Sequence, residues 1–326
     1  MPAAMVARGA HHKRTIVPGE RCFTTDKVVA VTLRPLFFVR SGSKDKPVAE
    51  KINLDGKLVL AGAGKMGGAM LEGWLAGGLS ANDVIVQDPS PPPEIVSLLE
   101  KHGVKHVEKL TETTLDAPPA VILMAVKPQI MDDVFPAVAP LAGPDTVTLS
   151  IAAGKTVASF EKHLASSRAV VRTIPNTPAA VGRGITVCFG NAHATDKHRE
   201  VCTGLLSAIG EVGWVDNEDL IDVSTAVSGS GPAYVFLLAE CLAKAGVAAG
   251  LDEALAARLA EATVAGSGEL MRQSDLPPST LRENVTSPNG TTYAALQVLM
   301  AESDGFGPLM QRAVDAATKR SRELAG

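Results

Sequence analysis

A short apolar run, Leu58-Val59-Leu60-Ala61, enters the loop Gly62-Ala63-Gly64-Lys65-Met66-Gly67, and a helical pattern follows through Leu71, Trp74 and Leu75. Few arrangements constrain a fold more, because each glycine of such a loop has its own task. Gly62 permits a tight turn, Gly64 lets a pyrophosphate approach the backbone, and Gly67 lets helix and strand pack closely. A glycine triplet alone is weak evidence, but this one has the strand before it and the helix after it. A second strand, Val84-Ile85-Val86-Gln87, ends at Asp88, 21 positions after Gly67, where an acidic group that holds a ribose belongs. A glycine-rich turn with no cofactor is the alternative reading.

The rest of the first two thirds alternates in the same way. Strands are expected at 58–61, 84–87, 120–126, 146–151, 169–174, 185–189 and 211–215, with helices at 67–76, 93–102, 159–164 and 196–209. Such alternation builds a parallel sheet covered by helices. After about residue 216 the strand signal stops. Helices are expected at 234–245, 251–272, 280–285, 291–300 and 308–324, with small-residue faces such as Ala254, Ala256, Ala257, Ala260 and Ala262. These helices have little bulk for a core of their own, so they are expected to pack against a second copy of the chain. The domains implied are a basic, disordered extension over 1–52, a dinucleotide-binding domain over 53–215, and a helical dimerisation and substrate domain over 216–326.

Charge and cysteine usage narrow the class. Residues 1–52 hold ten Lys/Arg against four Asp/Glu, leaving 21 against 31 in the remainder. An acidic body argues against nucleic-acid binding. The basic leader has no secretory apolar region; a targeting segment, a disordered extension and an upstream start remain open, with the extension favoured. No apolar run reaches the roughly 18 residues of a membrane span. The four cysteines, Cys22, Cys188, Cys202 and Cys241, lack metal or redox spacing, which predicts a reducing, cytoplasmic setting and no metal site.

Four further segments carry polar groups at chain turns. Ser287-Pro288-Asn289-Gly290-Thr291-Thr292 reads as a turn opening a helix, suited to a phosphate or carboxylate, or else as an ordinary capped helix. Ala125-Val126-Lys127-Pro128-Gln129 follows a strand, so Lys127 either faces the cofactor or is a solvated lysine. Pro175-Asn176-Thr177-Pro178 presents Asn176 rigidly, to a ribose or carboxamide or as a structural turn. Ser228-Gly229-Ser230-Gly231-Pro232 reads as the start of the first long helix, either a polar cradle or a close-packing site.

Taken together, these motifs resemble the pyrroline-5-carboxylate reductase family over about residues 56–324. The resemblance rests on GAGKMGGAM (62–70), AVKPQ (125–129), SIAAG (150–154), IPNTP (174–178), the run 218–234 and LRENVTSPNGTTYAAL (281–296), in that order. It implies an α/β Rossmann-type N-terminal domain followed by an all-α dimerisation domain of the 6-phosphogluconate dehydrogenase C-terminal type. It implies an NAD(P)H-dependent oxidoreductase acting on 1-pyrroline-5-carboxylate, working as a homodimer and in many members as a decamer. By resemblance, Gly62, Gly64, Lys65, Met66 and Gly67 line the pyrophosphate. Val126, Lys127 and Pro128 lie beside the cofactor, and Asn176 contacts it. Ser230, Asn289, Gly290, Thr291 and Thr292 hold the substrate carboxylate, with Ser230 and Thr292 as the catalytic hydroxyls.

The chemistry fits what the polar segments lack. A cyclic imine takes its proton from water near neutral pH, so hydride reduction needs positioning and electrostatics more than a strong protein acid. Three departures from the family pattern stand out. Leu237 occupies the position where some members carry a hydroxyl three residues after the motif tyrosine. Asn289 stands where glycine is more usual, and tolerates left-handed backbone. Asp88 favours the ribose hydroxyls of NADH over the 2′-phosphate of NADPH; Ser90 is placed to bind that phosphate, and the resemblance keeps NADPH ahead of NADH. A 3-hydroxyacid dehydrogenase would need a lysine where the helix begins Gly231-Pro232-Ala233-Tyr234. A non-catalytic dinucleotide-binding scaffold would predict decayed substrate segments.

Overall fold

A computed structural model describes residues 38–39, 52, 54–110 and 115–325 of the chain. Apart from 38–39 and Ile52, the expected extension over 1–52 lies outside the described residues. The strands are β1 (Phe38–Val39), β2 (Leu58–Ala61), β3 (Val84–Gln87), β4 (Lys105–Val107), β5 (Val121–Met124), β6 (Val147–Ser150), β7 (Ala169–Ile174), β8 (Gly184–Gly190) and β9 (Gly210–Val215). They form one sheet in the order β1-β9-β8-β7-β6-β5-β2-β3-β4. From β4 to β7 every neighbouring pair is parallel. β8 is antiparallel to β7, β9 parallel to β8, and β1 antiparallel to β9. The six parallel strands follow the doubly wound order, which reverses at β2, between β3 and β5; ligands bind at the carboxyl ends beside that reversal.

Both sheet faces are covered, which is why β2, β5, β6 and β7 are buried along their whole length; β2 and β5 read as unbroken apolar runs, while β6 and β7 also bury Thr148, Ser150, Arg172 and Thr173. On one face, helices α1 (Lys65–Ala76), α2 (Pro93–His102) and α5 (Asp196–Ser207) contribute to a core with Leu58, Leu60 and Trp74. The buried Trp74 indole N–H donates to the Leu205 carbonyl at 2.7 Å, tying α1 to α5. On the other face, α3 (Met131–Val138) and α4 (Val157–Glu161) bring Phe135 and Phe160 edge to face at 4.9 Å, beneath Val59 and Ala61. Neither β4 nor α3 was expected. β4 is three residues long with Lys105 and His106 exposed, so it has no apolar alternation to reveal it.

Beyond β9 the chain is helical: α6 (Asp219–Ser224), a π-helical turn (Thr225–Gly229), α7 (Gly231–Ala248), α8 (Glu253–Gln273), α9 (Pro278–Asn284), α10 (Thr291–Leu299) and α11 (Phe306–Ala325). α7, the first long helix, opens at Gly231 with Ser230 as its N-cap, as expected of the 228–232 segment. What was not expected is that α6 runs into it through a π turn, Thr225–Gly229, so the chain is already helical from Asp219. The cause is Pro232: it has no N–H for the carbonyl four residues back, so the regular ladder fails at that point.

α8 folds back on α7, with Ala256 and Ala260 buried and Gly246 facing Leu251 and Ala256. By contrast α7, α9 and α10 bury none of their residues. Val235, Phe236, Leu237, Leu238 and Leu242 all stand exposed. The run Asp219–Ala248 is long and apolar enough, by length and composition, to cross a membrane. An apolar face of this size on a single chain equally marks a surface for another protein.

α11 returns to the sheet. Arg172 of β7, only 2% exposed, donates to Glu218 at 3.0 Å and to Asp222 at 3.2 Å. Ser321 of α11 donates to the same Asp222 oxygen at 2.7 Å, and the Val157 N–H donates to Glu218 at 2.8 Å. Gly154, at φ +73°, leaves room for the Leu324 carbonyl; a Cβ there would stand 3.1 Å from that oxygen. The 150–154 segment therefore seats the last helix.

Candidate active site

The glycine loop sits at the carboxyl end of β2, beside the reversal of strand order. Gly62 adopts φ +92°, its N–H donates to the Gln87 carbonyl at 2.8 Å, and a Cβ on it would lie 2.9 Å from Val126 Cγ1. A Cβ on Gly67 would collide with the Gly62 carbonyl oxygen, so α1 and the loop are in backbone contact. Gly64 has no atom within 4 Å of the same position, leaving open space above the loop. α1 starts there with no side-chain cap and no acid in its first turn. The first α1 bond is Gly68 N–H to the Gly64 carbonyl at 2.7 Å, so Lys65, Met66 and Gly67 present N–H groups without helical partners. An uncapped helix start facing open space accepts an anion.

Val126, Lys127 and Pro128 leave β5 next to this loop, and the Ala125 N–H donates to the Ala61 carbonyl at 2.8 Å. Lys127 is exposed and forms no ion pair among the described residues. Asp88 holds a position that sequence reasoning did not foresee. One carboxylate oxygen accepts the Ala63 N–H at 2.8 Å, and the other accepts the Ser90 N–H at 2.9 Å. The side chain thus fastens the glycine loop to the end of β3. Ser90 is exposed, and the His106 ring lies 2.8 Å from the Asp88 carbonyl.

Asn176 follows β7, on the same carboxyl edge. Its Oδ1 accepts the Ile185 N–H at 2.9 Å and its Nδ2 donates to the Ser228 carbonyl at 3.2 Å. The 174–178 and 228–232 segments, separate in sequence, are therefore joined. Inside the π turn the Ser230 N–H donates to Thr225 at 2.8 Å, so that N–H is not free for an anion. The Ser230 hydroxyl makes no hydrogen bond among the described residues. The Thr225 and Ser228 hydroxyls donate back to Ile221 and Ser224.

The second helix start lies at 287–292. Asn289 adopts φ +57°, and the Gly290 N–H donates to the Ser287 carbonyl at 3.0 Å. A Cβ on Gly290 would make the Ser287 hydroxyl turn away and would stand 3.2 Å from the Ser287 carbonyl oxygen, so the turn is tight there. α10 is uncapped, and the Ala294 N–H makes the first bond back to Gly290. Thr291, Thr292 and Tyr293 therefore present N–H groups without helical partners. Among the described residues no hydrogen bond joins this turn to Ser230. Elsewhere, burial pushes the Cys188 thiol up and the Cys202 thiol up to about 12, which leaves both as inert core groups.

Residues 218–324 match the family model for pyrroline-5-carboxylate reductase dimerisation, and residues 57–154 match one described as NADP oxidoreductase, coenzyme F420-dependent. The chain is similar to the pyrroline-5-carboxylate reductase of Pseudomonas aeruginosa, 39% identical over 269 residues covering 82% of this chain and 97% of the relative. In three dimensions it is similar to a pyrroline-5-carboxylate reductase from Coxiella burnetii, with TM-score 0.76 and 31% identity over 83% of this chain and 99% of the other. A Plasmodium falciparum pyrroline carboxylate reductase solved with NADP bound gives TM-score 0.68 and 28% identity, again over 83% and 99%.

Proposed function

Because this chain belongs to the pyrroline-5-carboxylate reductase family, we infer that it reduces 1-pyrroline-5-carboxylate to proline, the last step of proline biosynthesis. It is an NAD(P)H-dependent oxidoreductase of Rossmann-type fold with a helical dimerisation domain, and it assembles as a homo-oligomer. The observation that carries the residue-level reading is that α1 and α10 each open from a glycine, Gly64 and Gly290, with no side-chain cap and no acid in the first turn. One suits a pyrophosphate and the other a carboxylate.

The loop fits a dinucleotide on its own geometry: open space at Gly64, an uncapped α1 and no first-turn acid to repel phosphate. When bound, the dinucleotide supplies the hydride. In this reading Gly62, Gly64, Lys65, Met66 and Gly67 hold the pyrophosphate, while Val126, Lys127 and Pro128 border the nicotinamide end. Asn289, Gly290, Thr291 and Thr292 hold the substrate carboxylate through the α10 N–H groups. The Ser230 and Thr292 hydroxyls orient the ring nitrogen. That nitrogen already carries a proton from water, so its neighbouring carbon is electrophilic and the chain needs no strong acid.

NADPH is the proposed coenzyme. The support is that both Asp88 oxygens already accept main-chain N–H groups, which turns the carboxylate toward the loop and leaves the exposed Ser90 beside it for a 2′-phosphate. A homodimer is the proposed catalytic unit, since Ser230 and the 287–292 turn are not joined within one chain. Sedimentation decides whether dimers gather into a decamer. Free, buried Cys188 and Cys202 support a reducing, cytoplasmic setting. The test is steady-state reduction of 1-pyrroline-5-carboxylate with NADPH and with NADH at equal concentrations. Faster turnover with NADPH is expected; a strong NADH preference overturns the coenzyme reading, and no turnover with either overturns the function.

A further inference from the structure

The π turn between α6 and α7 has two carbonyls that the helix cannot satisfy. Ser230 donates its N–H to Thr225, five residues back, so the Ala226 carbonyl loses its usual partner. The Tyr234 hydroxyl takes that carbonyl at 3.0 Å. The Ser228 carbonyl would ordinarily pair with the N–H of residue 232, and residue 232 is a proline. Asn176 supplies the missing donor at 3.2 Å from the far side of the sheet edge. Its other amide atom is held by the Ile185 N–H at 2.9 Å, which fixes which way the carboxamide points. Asn176 is only 8% exposed.

We propose that Asn176 is a positioning residue for the reductase reaction. It replaces the hydrogen bond that Pro232 removes, and so locks the π turn that presents Ser230 to the carboxyl edge of the sheet. The proposal rests on the reading of Ser230 as a substrate-orienting hydroxyl. Its physical content is a dependency between two residues 56 positions apart in the chain. Pro232 creates an unpaired carbonyl in a part-buried place, and such a group demands a donor. The donor comes from the end of β7, so the cofactor-binding half sets the geometry of the substrate-binding helix. Ser228 and Ser230 share that turn, and any loosening of it moves the Ser230 hydroxyl relative to the glycine loop.

Asn176→Asp keeps the acceptor for Ile185 and removes the donor to Ser228. The expected result is at least a tenfold rise in KM for 1-pyrroline-5-carboxylate, with the Kd for NADPH measured without substrate changing less than twofold. Amide exchange at Ser230 should accelerate at least tenfold while amides of β2 and α1 keep their protection. Adding Pro232→Ala, which restores a main-chain donor to Ser228, should return at least a third of the lost exchange protection. Tyr234→Phe, which frees the Ala226 carbonyl, should loosen the same amide independently and serves if Asn176→Asp does not fold. A tenfold loss of NADPH affinity with unchanged KM would make Asn176 a cofactor ligand and overturn the proposal. So would Ser230 exchange equal to the unmodified protein in both single variants. Exchange is read without turnover, so a failed assignment of the substrate and a failed assignment of Asn176 are told apart.

Discussion

Replacing Asp88 by asparagine separates two jobs that an acid at the end of β3 can do. As a ribose ligand it would favour NADH and repel NADPH; as a clamp it would hold the glycine loop for either coenzyme. The structure shows the clamp: Ala63 and Ser90 each donate a main-chain N–H to a different carboxylate oxygen, at 2.8 and 2.9 Å. An asparagine keeps one acceptor oxygen, so its amide nitrogen must face one of the two N–H groups, donor against donor. A hydrogen bond to a charged group contributes about 1.5–3 kcal/mol. Asp88 is half-buried and water can take part of the load, which reduces the expected loss to about 1–2 kcal/mol. At about 1.4 kcal/mol per tenfold, NADPH and NADH should both bind roughly 5–30-fold more weakly to Asp88→Asn. Calorimetric titration of each coenzyme in the absence of substrate measures this. A tenfold swing in the ratio of the two affinities, with NADPH tightening, refutes the clamp and restores Asp88 as the reader of the ribose.

Thr292→Val should raise KM for the substrate while coenzyme affinity survives; weakened coenzyme binding would mean the 287–292 turn serves the other pocket. Asp222→Ala leaves Arg172 with one acid partner in a buried setting and strips Ser321 of its acceptor. It should lower unfolding stability in urea by about 3 kcal/mol, and a loss under 1 would show the network to be incidental. Phe236, 63% exposed on a single chain, lies on the apolar face of α7. Phe236→Glu should shift the sedimenting species to monomer and abolish turnover with coenzyme binding intact; an unchanged oligomer would place the interface elsewhere.

The glycine loop and the inner strands were legible because their demands are local. Gly62, Gly64 and Gly67 need particular backbone geometry, and β2 and β5 are apolar on both faces. β4 was not legible, since an edge strand with Lys105 and His106 outward carries no periodic signal. The π turn does have a signal in the sequence: Pro232 cannot serve the Ser228 carbonyl, so a regular α-helix cannot run through 228–232. The clamp at Asp88 was hidden for another reason. Position along the chain tells that an acid ends a strand, but which way its oxygens turn depends on the loop packed against it. The relation of Ser230 to Thr292 is not fixed within one chain, where no hydrogen bond joins them among the described residues and α7 and α10 bury none of their own side chains.

The bond from Ser321 to Asp222 joins residues 99 positions apart. On a ribosome adding about 5–20 residues per second, Asp222 waits roughly 5–20 s for that partner after it is made. During this interval the sheet and α6 are already synthesised, Arg172 and its acids can pair, and the oily flank of α7 is exposed with nothing to cover it. The nascent protein therefore passes through a stage that is adhesive before it is fully fastened. The last helix to be made is therefore the one that completes the buried charge network of the sheet, and that network stays short of one hydrogen bond until the chain is nearly finished.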